Sequence, residues 1–290
     1  MVEAGGMLGL LAGAAVLAAL LTGALRRYAL AGGMLDVPNA RSSHMLPTPR
    51  GGGVSVVLVY LAGLCLLFSQ GLMADEVLIG LVGAGVLVAL IGWVDDRQSV
   101  AARWRLAVHF LAAGWGLFWL GGLPPVVIYA VEFDLGWLGH GLALLYLVWL
   151  LNLYNFMDGI DGIAGVEAVT VALGGCLLAV MAGAGVEAWW PMLLLAAGVA
   201  GFLVWNWPPA RIFMGDAGSG FIGLMLGLLS IQAAYQSFEL LAGWLVLLAV
   251  FVTDATLTLI RRLLRGMPLA EAHRSHGYQY AARRLGSHRG

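Results

Sequence analysis

No lysine occurs anywhere in the 290 residues, charged side chains of any kind make up only 11%, and cysteine appears twice. The scarcity of charge excludes an ordinary soluble domain, because a chain that is 61% hydrophobic carries more apolar surface than one water-exposed globule can hide. No polar block is long enough to fold separately, so a single membrane-embedded domain covering residues 1–290 is expected. Cys65 and Cys176 both fall inside apolar runs, which gives no support to a disulfide framework or a zinc site. Strand signals are missing too, apart from Pro124–Leu138, whose alternation suits a short β-hairpin. The expected fold class is therefore all-α, a polytopic membrane protein.

What is present is a succession of apolar runs. A helix needs roughly 20 apolar residues to cross the hydrocarbon layer, and fewer where polar groups line an enclosed cavity. About nine segments qualify: Met7–Leu25, Val54–Phe68, Val77–Val94, Leu106–Leu120, Gly141–Leu153, Ile163–Ala182, Trp189–Trp205, Phe221–Tyr235 and Leu240–Ile260. The first lacks an n-region arginine and a cleavage-like end, so it reads as a retained span rather than a signal peptide. Placing alternate loops on opposite sides gathers all fifteen arginines on one side. The other side receives Glu3, Asp75, Glu76, Glu132, Asp134, Glu187 and Glu239 and no basic residue. The positive-inside rule then makes the arginine side cytoplasmic, with the N-terminus out and the C-terminus in. Trp93, Trp104, Trp137, Trp189, Trp190, Trp205 and Trp207 stand at span ends, where an interfacial aromatic belt belongs.

The polar residues that lipid-facing helices do not need fall into clusters on the arginine side. The first, DVPNARSSH from Asp36 to His44 with Arg41 inside it, runs into PTPRGGG from Pro47 to Gly53. Glycines before a helix N-terminus let unpaired backbone N–H groups approach an anion, and Arg41, His44 and Arg50 add positive charge. The second is Asp95-Asp96-Arg97. Adjacent carboxylates repel, so at a partly dehydrated membrane edge one is held protonated unless a cation neutralises the pair. The third, Asn152 to Gly162 (NLYNFMDGIDG), places Asn152 and Asn155, and then Asp158 and Asp161, three residues apart, so each pair shares a face if helical. Such a stripe is costly beside lipid without a polar partner. In the fourth, Asn206 to Gly220 (NWPPARIFMGDAGSG), Asp216 stands amid glycines at a span start and suits a hard cation shared with phosphate oxygens. A basic tail adds His273, Arg274 and His276, in which the two histidines are three apart and fit phosphate contact or zinc, with no cysteine or acidic set to complete the latter.

Read in order, DVPNARSSH, PTPRGGG, GWVDD, NLYNFMDGIDG, NWPPARIFMGDAGSG and HRSHGYQ resemble the motifs of the polyprenyl-phosphate N-acetylhexosamine-1-phosphate transferases, over residues 36 to 279. That family includes the phospho-N-acetylmuramoyl-pentapeptide transferases, and the first and last motifs are closer to its O-antigen and lipopolysaccharide initiators. The resemblance implies a magnesium-dependent enzyme, with manganese as a substitute, that joins a UDP-linked amino sugar to undecaprenyl phosphate and releases UMP. It implies Mg²⁺ at Asp216, a catalytic role for Asp95 and Asp96 with Asp95 the base, and a nucleotide site of Asn152, Asn155, Asp158, Gly159, Asp161, Asn206 and Phe213, with Phe213 stacking on uracil. Asp36, Arg41 and His44 would bind substrate, and His273, Arg274 and the catalytic His276 would reach the diphosphate or sugar. The partners implied are these two substrates and the bilayer of a bacterial inner membrane, with no nucleic acid; a homodimer stays open. The chain departs from the family pattern at its end, since members usually carry further spans after the histidine motif.

Two other readings stand beside this one. Asp254 lies inside the ninth apolar run, as an ion- or proton-coupled transporter would place an acid, and an inactive lipid-binding scaffold could share the architecture. The charge asymmetry makes the orientation testable in intact cells. A cysteine introduced beside Glu132 should react with an impermeant thiol reagent, while cysteines beside Asp95 or at Ser275 should stay protected. The opposite labelling pattern would invert the topology.

Overall fold

The computed structural model describes residues 4–38, 46–128, 131–267, 275–286 and 288. Among these residues the chain is helical throughout, interrupted by two small antiparallel β-pairs. The helices are α1 (Ala4–Ala31), α2 (Val54–Ser69), α3 (Asp75–Arg97), α4 (Ala102–Trp119), α5 (Gly136–Met157), α6 (Ile163–Met181), α7 (Val186–Asn206), α8 (Asp216–Ala234), α9 (Phe238–Leu247), α10 (Ala249–Leu264) and α11 (Gly277–Leu285). β1 (Leu35–Asp36) pairs with β2 (Thr48–Pro49), bracketing the first polar loop. β3 (Val126–Ile128) pairs with β4 (Val131–Phe133) in the register Val126 to Phe133, the hairpin expected from the alternation.

Each of the nine apolar runs lies on a helix, but they are not nine equal spans. Among the described residues six helices, α1, α3, α5, α6, α7 and α8, are long and apolar enough to cross a membrane. The last run is two helices, α9 and α10, bent by 66° at a short break; counted as one, they make seven. α2 is apolar but has only 16 residues. The multi-pass character stands, then, with fewer full-length spans than composition suggested. Trp189, Trp190 and Trp205 lie in the first and last turns of α7, as the reading of span ends requires; Trp190 is buried against the bundle, and the Trp205 indole donates to the Ala19 carbonyl at 2.8 Å.

The arrangement is a bundle around one pillar. Nearly every residue of α8 is buried, because α2, α3, α4, α5, α6 and α9 all pack on it. Helices in lipid gain little from burying apolar surface against each other, so close packing through small residues has to hold them. α8 supplies such a face. A Cβ at Gly223 would lie 2.7 Å from the Tyr154 Cβ and 3.0 Å from the Leu150 carbonyl, and one at Gly227 would lie 2.7 Å from the Leu147 side chain. From α3, Gly92 comes so near that its Cβ would stand 2.6 Å from the Ala217 nitrogen. These contacts bring the C-terminal ends of α3 and α5 to the N-terminal end of α8. Gly223→Val, which drives a branched side chain into α5, should lower stability by about 2 kcal/mol, a typical overpacking cost. A fall in the melting temperature of the detergent-solubilised protein would show it, whereas an unchanged midpoint would mean that α5 and α8 are not closely apposed.

Candidate active site

Asp96, near the C-terminal end of α3, has a fully buried side chain with both oxygens engaged. Oδ1 accepts from the Asp216 N–H at 2.9 Å and Oδ2 from the Ala217 N–H at 3.2 Å. A helix N-terminus leaves its first N–H groups unpaired and carries partial positive charge. Gly215, at the N-cap of α8, has no side chain to satisfy them. Asp96 therefore caps α8 from another helix, and Gly215 sits at φ +79°, where a Cβ would stand 2.5 Å from Oδ2.

The buried charge of Asp96 is matched by Arg50, whose Nε lies 2.8 Å from Oδ1 and whose Nη2 also pairs with Asp216. Arg50 is delivered by the PTPRGGG loop, which is zipped to the loop before α8. Phe213 N–H donates to the Pro49 carbonyl at 2.8 Å, Gly52 N–H to the Phe213 carbonyl at 2.9 Å, and Gly53 N–H to the Met214 carbonyl at 2.8 Å. Glycine is needed here, since a Cβ at Gly53 would stand 2.5 Å from the Gly218 Cα. Burial works against the charge of Arg50, but Asp216, Asp96 and Asp36 outweigh it and hold its pKa above the usual arginine value.

Arg105, on the first turns of α4, completes the cluster. Its Nη1 lies 2.5 Å from Asp95 Oδ2 and 3.4 Å from Asp216 Oδ2, while Asp95 Oδ1 accepts from the Val100 N–H at 2.7 Å. Arg97, adjacent to the acidic pair in sequence, does not neutralise it: its guanidinium lies 4.0 Å over the Trp93 ring and donates to the Tyr28 hydroxyl at 2.6 Å. From α5, Asn155 donates to Ser219 Oγ at 3.0 Å, one turn along α8 from Asp216. The side chain of Asp158, just past α5, makes no hydrogen bond or ion pair among the described residues, while its backbone N–H donates to the Asn155 carbonyl at 3.3 Å. Burial, with the charges of Asp216, Asp96 and Asp161, outweighs the pull of Arg50 and pushes Asp158 up to about 7. Four carboxylates thus converge with two guanidiniums. When all are ionised, two negative charges remain.

Other residues expected at the site are placed beside it, where they hold it together. Asn206 is buried and spans two loops, accepting from the Gly162 N–H at 3.0 Å and donating to the Ile212 carbonyl at 2.9 Å. Asp161 accepts from the Ala210 N–H at 3.0 Å and lies 3.3 Å from His288 Nδ1. Asn152 donates back to the Val148 carbonyl at 2.7 Å. Phe213 is half-buried, and Asp36 lines a cavity of about 540 Å³ with Tyr28, Arg50, Asp96 and Arg97. Arg41, His44, His273 and Arg274 lie outside the described residues. His276 is turned inward, with Nδ1 3.6 Å from Asp254 Oδ1 and its ring stacked on Tyr278 at 5.7 Å. Asp254 in turn accepts from the Gly277 and Tyr278 N–H groups at 2.8 and 3.1 Å, capping α11 as Asp96 caps α8. That structural use accounts for the acid without an ion path.

Sequence reasoning missed Arg105 as a site residue, together with His109, Tyr278 and His288. A histidine one turn after an arginine in an apolar helix was the available signal for the first two. Beside the cluster, Met157, Ile163, Val166, Phe251 and Tyr278 help line a mostly apolar groove of about 1160 Å³.

The chain matches the family model described as Glycosyl transferase family 4 over residues 78–234. It is similar to the Bacillus subtilis protein named "Probable undecaprenyl-phosphate N-acetylglucosaminyl 1-phosphate transferase", 29% identical over 265 residues covering 89% of this chain and 72% of that one. The decaprenyl-phosphate N-acetylglucosaminephosphotransferase of Mycolicibacterium smegmatis is 31% identical over 87% of this chain and 70% of its own length. A phospho-N-acetylmuramoyl-pentapeptide-transferase of Moorella thermoacetica is 34% identical over 62% of each chain.

The two adjacent aspartates should separate on substitution. Asp96→Asn turns one amide N–H toward a backbone N–H of α8 and leaves Arg50 short of a charge, so stability should fall by about 2 kcal/mol along with activity. Asp95→Asn keeps an oxygen for the Val100 N–H, and should lose turnover while its melting temperature holds. Melting curves and product formation measured on the same detergent preparations test this, and equal melting temperatures for the two variants would refute the capping role.

Proposed function

The chain belongs to glycosyl transferase family 4, and we propose that this sugar-phosphate transferase moves an N-acetylhexosamine 1-phosphate from a UDP-linked donor to undecaprenyl phosphate. The products are undecaprenyl-pyrophosphoryl sugar and UMP, and the reaction begins a cell-envelope glycan of the O-antigen type at the cytoplasmic face. The observation that carries this reading is the meeting of Asp95, Asp96, Asp158 and Asp216 with Arg50 and Arg105 at one end of the bundle, beside an apolar groove. A polyprenyl chain suits the groove, and the guanidiniums suit non-bridging phosphate oxygens.

The donor set fits Mg²⁺. Among the described residues no three His, Cys, Asp or Glu side chains form a cage, and Mg²⁺ is commonly held by one or two carboxylates plus substrate phosphates. Asp216 is the residue that would hold it, with Mn²⁺ as a substitute, and the bound ion supplies charge neutralisation to the diphosphate. The protein's own groups then position the reactants. Arg50 and Arg105 draw phosphate oxygens toward the carboxylate cluster. Asp95, fixed by the Val100 N–H, orients or deprotonates the lipid phosphate, one oxygen of which attacks the sugar-side phosphorus as the bond to the UMP oxygen breaks. Displacement at phosphorus asks little else of a protein than alignment and compensation of charge. Asp96, Asn206 and Asp161 are positioning residues in this scheme. Asn155, Asp158, Gly159 and Phe213 face the nucleotide.

Asp216→Asn should reduce UMP release from UDP-N-acetylhexosamine and undecaprenyl phosphate by about a thousandfold or more. The same variant should bind Mn²⁺ far more weakly by electron paramagnetic resonance. Because the Asp216 side chain is only 16% exposed and paired with Arg50 and Arg105, some stability should be lost too, and the metal measurement keeps that loss separate. Wild-type Mn²⁺ binding together with wild-type turnover would remove Asp216 from the site.

A further inference from the structure

We propose that Gln279, on α11, reads the base edge of the donor nucleotide, its carboxamide pairing with an imide of the uracil type. The proposal rests on the nucleotide site placed above at Asp158 and Gly159.

The helix that carries Gln279 is fixed in place by three ties. Asp254 caps its N-terminus, the Tyr278 hydroxyl donates to the Phe156 carbonyl at 3.1 Å, and beyond its C-terminus His288 Nδ1 accepts from the Asp161 N–H at 3.3 Å. Two of these ties end on the NLYNFMDGIDG segment, so α11 is docked on the loop that carries Asp158 and Gly159. The outward face of α11 holds Tyr280, Arg283, Arg284 and Leu285. Gln279 is on the other face, only 7% exposed. Its Nε2 is placed against the Gly159 backbone, where a Cβ would stand 3.2 Å away, and the Tyr278 hydroxyl closes the same space. Glycine at 159 is what lets the two side chains reach the loop.

The Gln279 Oε1 is buried and has no hydrogen-bond partner among the described residues. Leaving such an acceptor unsatisfied costs about 1–3 kcal/mol, and an apolar side chain of the same size would avoid the cost. A ligand that supplies the missing donor accounts for the amide. A carboxamide offers an acceptor and a donor side by side, and its complement is an N–H flanked by a C=O. Uracil has that edge in its imide. Phosphates offer only acceptors, and the acetamido group of an amino sugar is a trans amide whose N–H and C=O point opposite ways, so neither can satisfy both atoms at once.

The test is binding of UMP and of N3-methyl-UMP, which lacks the imide N–H, to the detergent-purified full chain by titration calorimetry. The wild type should favour UMP by roughly ten- to a hundredfold. Gln279→Met, which conserves volume, and Gln279→Ala, which opens space for the methyl group, should both bring the ratio close to one. If both variants keep the wild-type ratio, Gln279 does not read the base. If they lose the two ligands in equal proportion, its role is only to seat α11. A wild type with no affinity for UMP would instead bring down the nucleotide reading itself, and this inference with it.

Discussion

One carboxylate, that of Asp96, joins three segments distant in sequence. It caps the first two N–H groups of α8, takes the charge of Arg50 from the PTPRGGG loop, and does both from the end of α3 with no exposed side-chain surface. A buried charge held by a cation and by backbone donors is expensive to disturb, because removing any one partner strands the others. That constraint fixes the direction in which α8 begins. Asp216 is the first residue of α8 and Gly215 has no room for a side chain, so the capping carboxylate decides where the Asp216 carboxylate stands relative to Asp95, Arg50 and Arg105.

The same device recurs at the other border of the site. Asp254 of α10 accepts from the first N–H groups of α11, and the N-cap residue there, His276, makes no side-chain cap of its own. In both places a helix begins against protein where no local Ser, Thr, Asp or Asn satisfies its N-terminus, so a carboxylate from a neighbouring helix serves instead. The two borrowed caps set α8 and α11 on either side of the NLYNFMDGIDG segment. A glycine at the contact, Gly223 of α8 against Tyr154 and Gly159 against α11, allows the approach. The site is built this way from ends of helices, while their middles, packed through Gly223 and Gly227, keep the ends from moving apart.

Much of this was legible without coordinates, for physical reasons. Apolar runs must become helices in a membrane because no other open segment satisfies its backbone there, and every run did. Alternation with turn residues is enough for a hairpin, which formed at Val126–Phe133. Polar residues beside lipid are costly without a purpose, so Asp95, Asp96, Asn155, Asp158 and Asp216 could be picked out one by one, and the fold does bring them together. The number of full-length spans was less secure, because hydropathy does not register the 66° break between α9 and α10 or the shortness of α2.

The sequence by itself determined the membrane character and the all-helical class, which follow from composition and apolar runs; its ordered motifs resembled those of the family, and its polar clusters marked the carboxylates that meet at the end of the bundle, though not Arg105. Only the tertiary structure decided what each polar residue does. Asp95 and Asp96 are neighbours in the chain, yet one faces Arg105 and the other is consumed in capping α8; Arg97, next to both, is drawn off by Trp93 and Tyr28. Asp254 looked like an ion-path acid and is a helix cap, and Asn206 looked like a nucleotide ligand and is a clasp between loops. A side chain's hydrogen bonds depend on which distant backbone arrives beside it, and that is set by helix packing, which the local sequence does not encode.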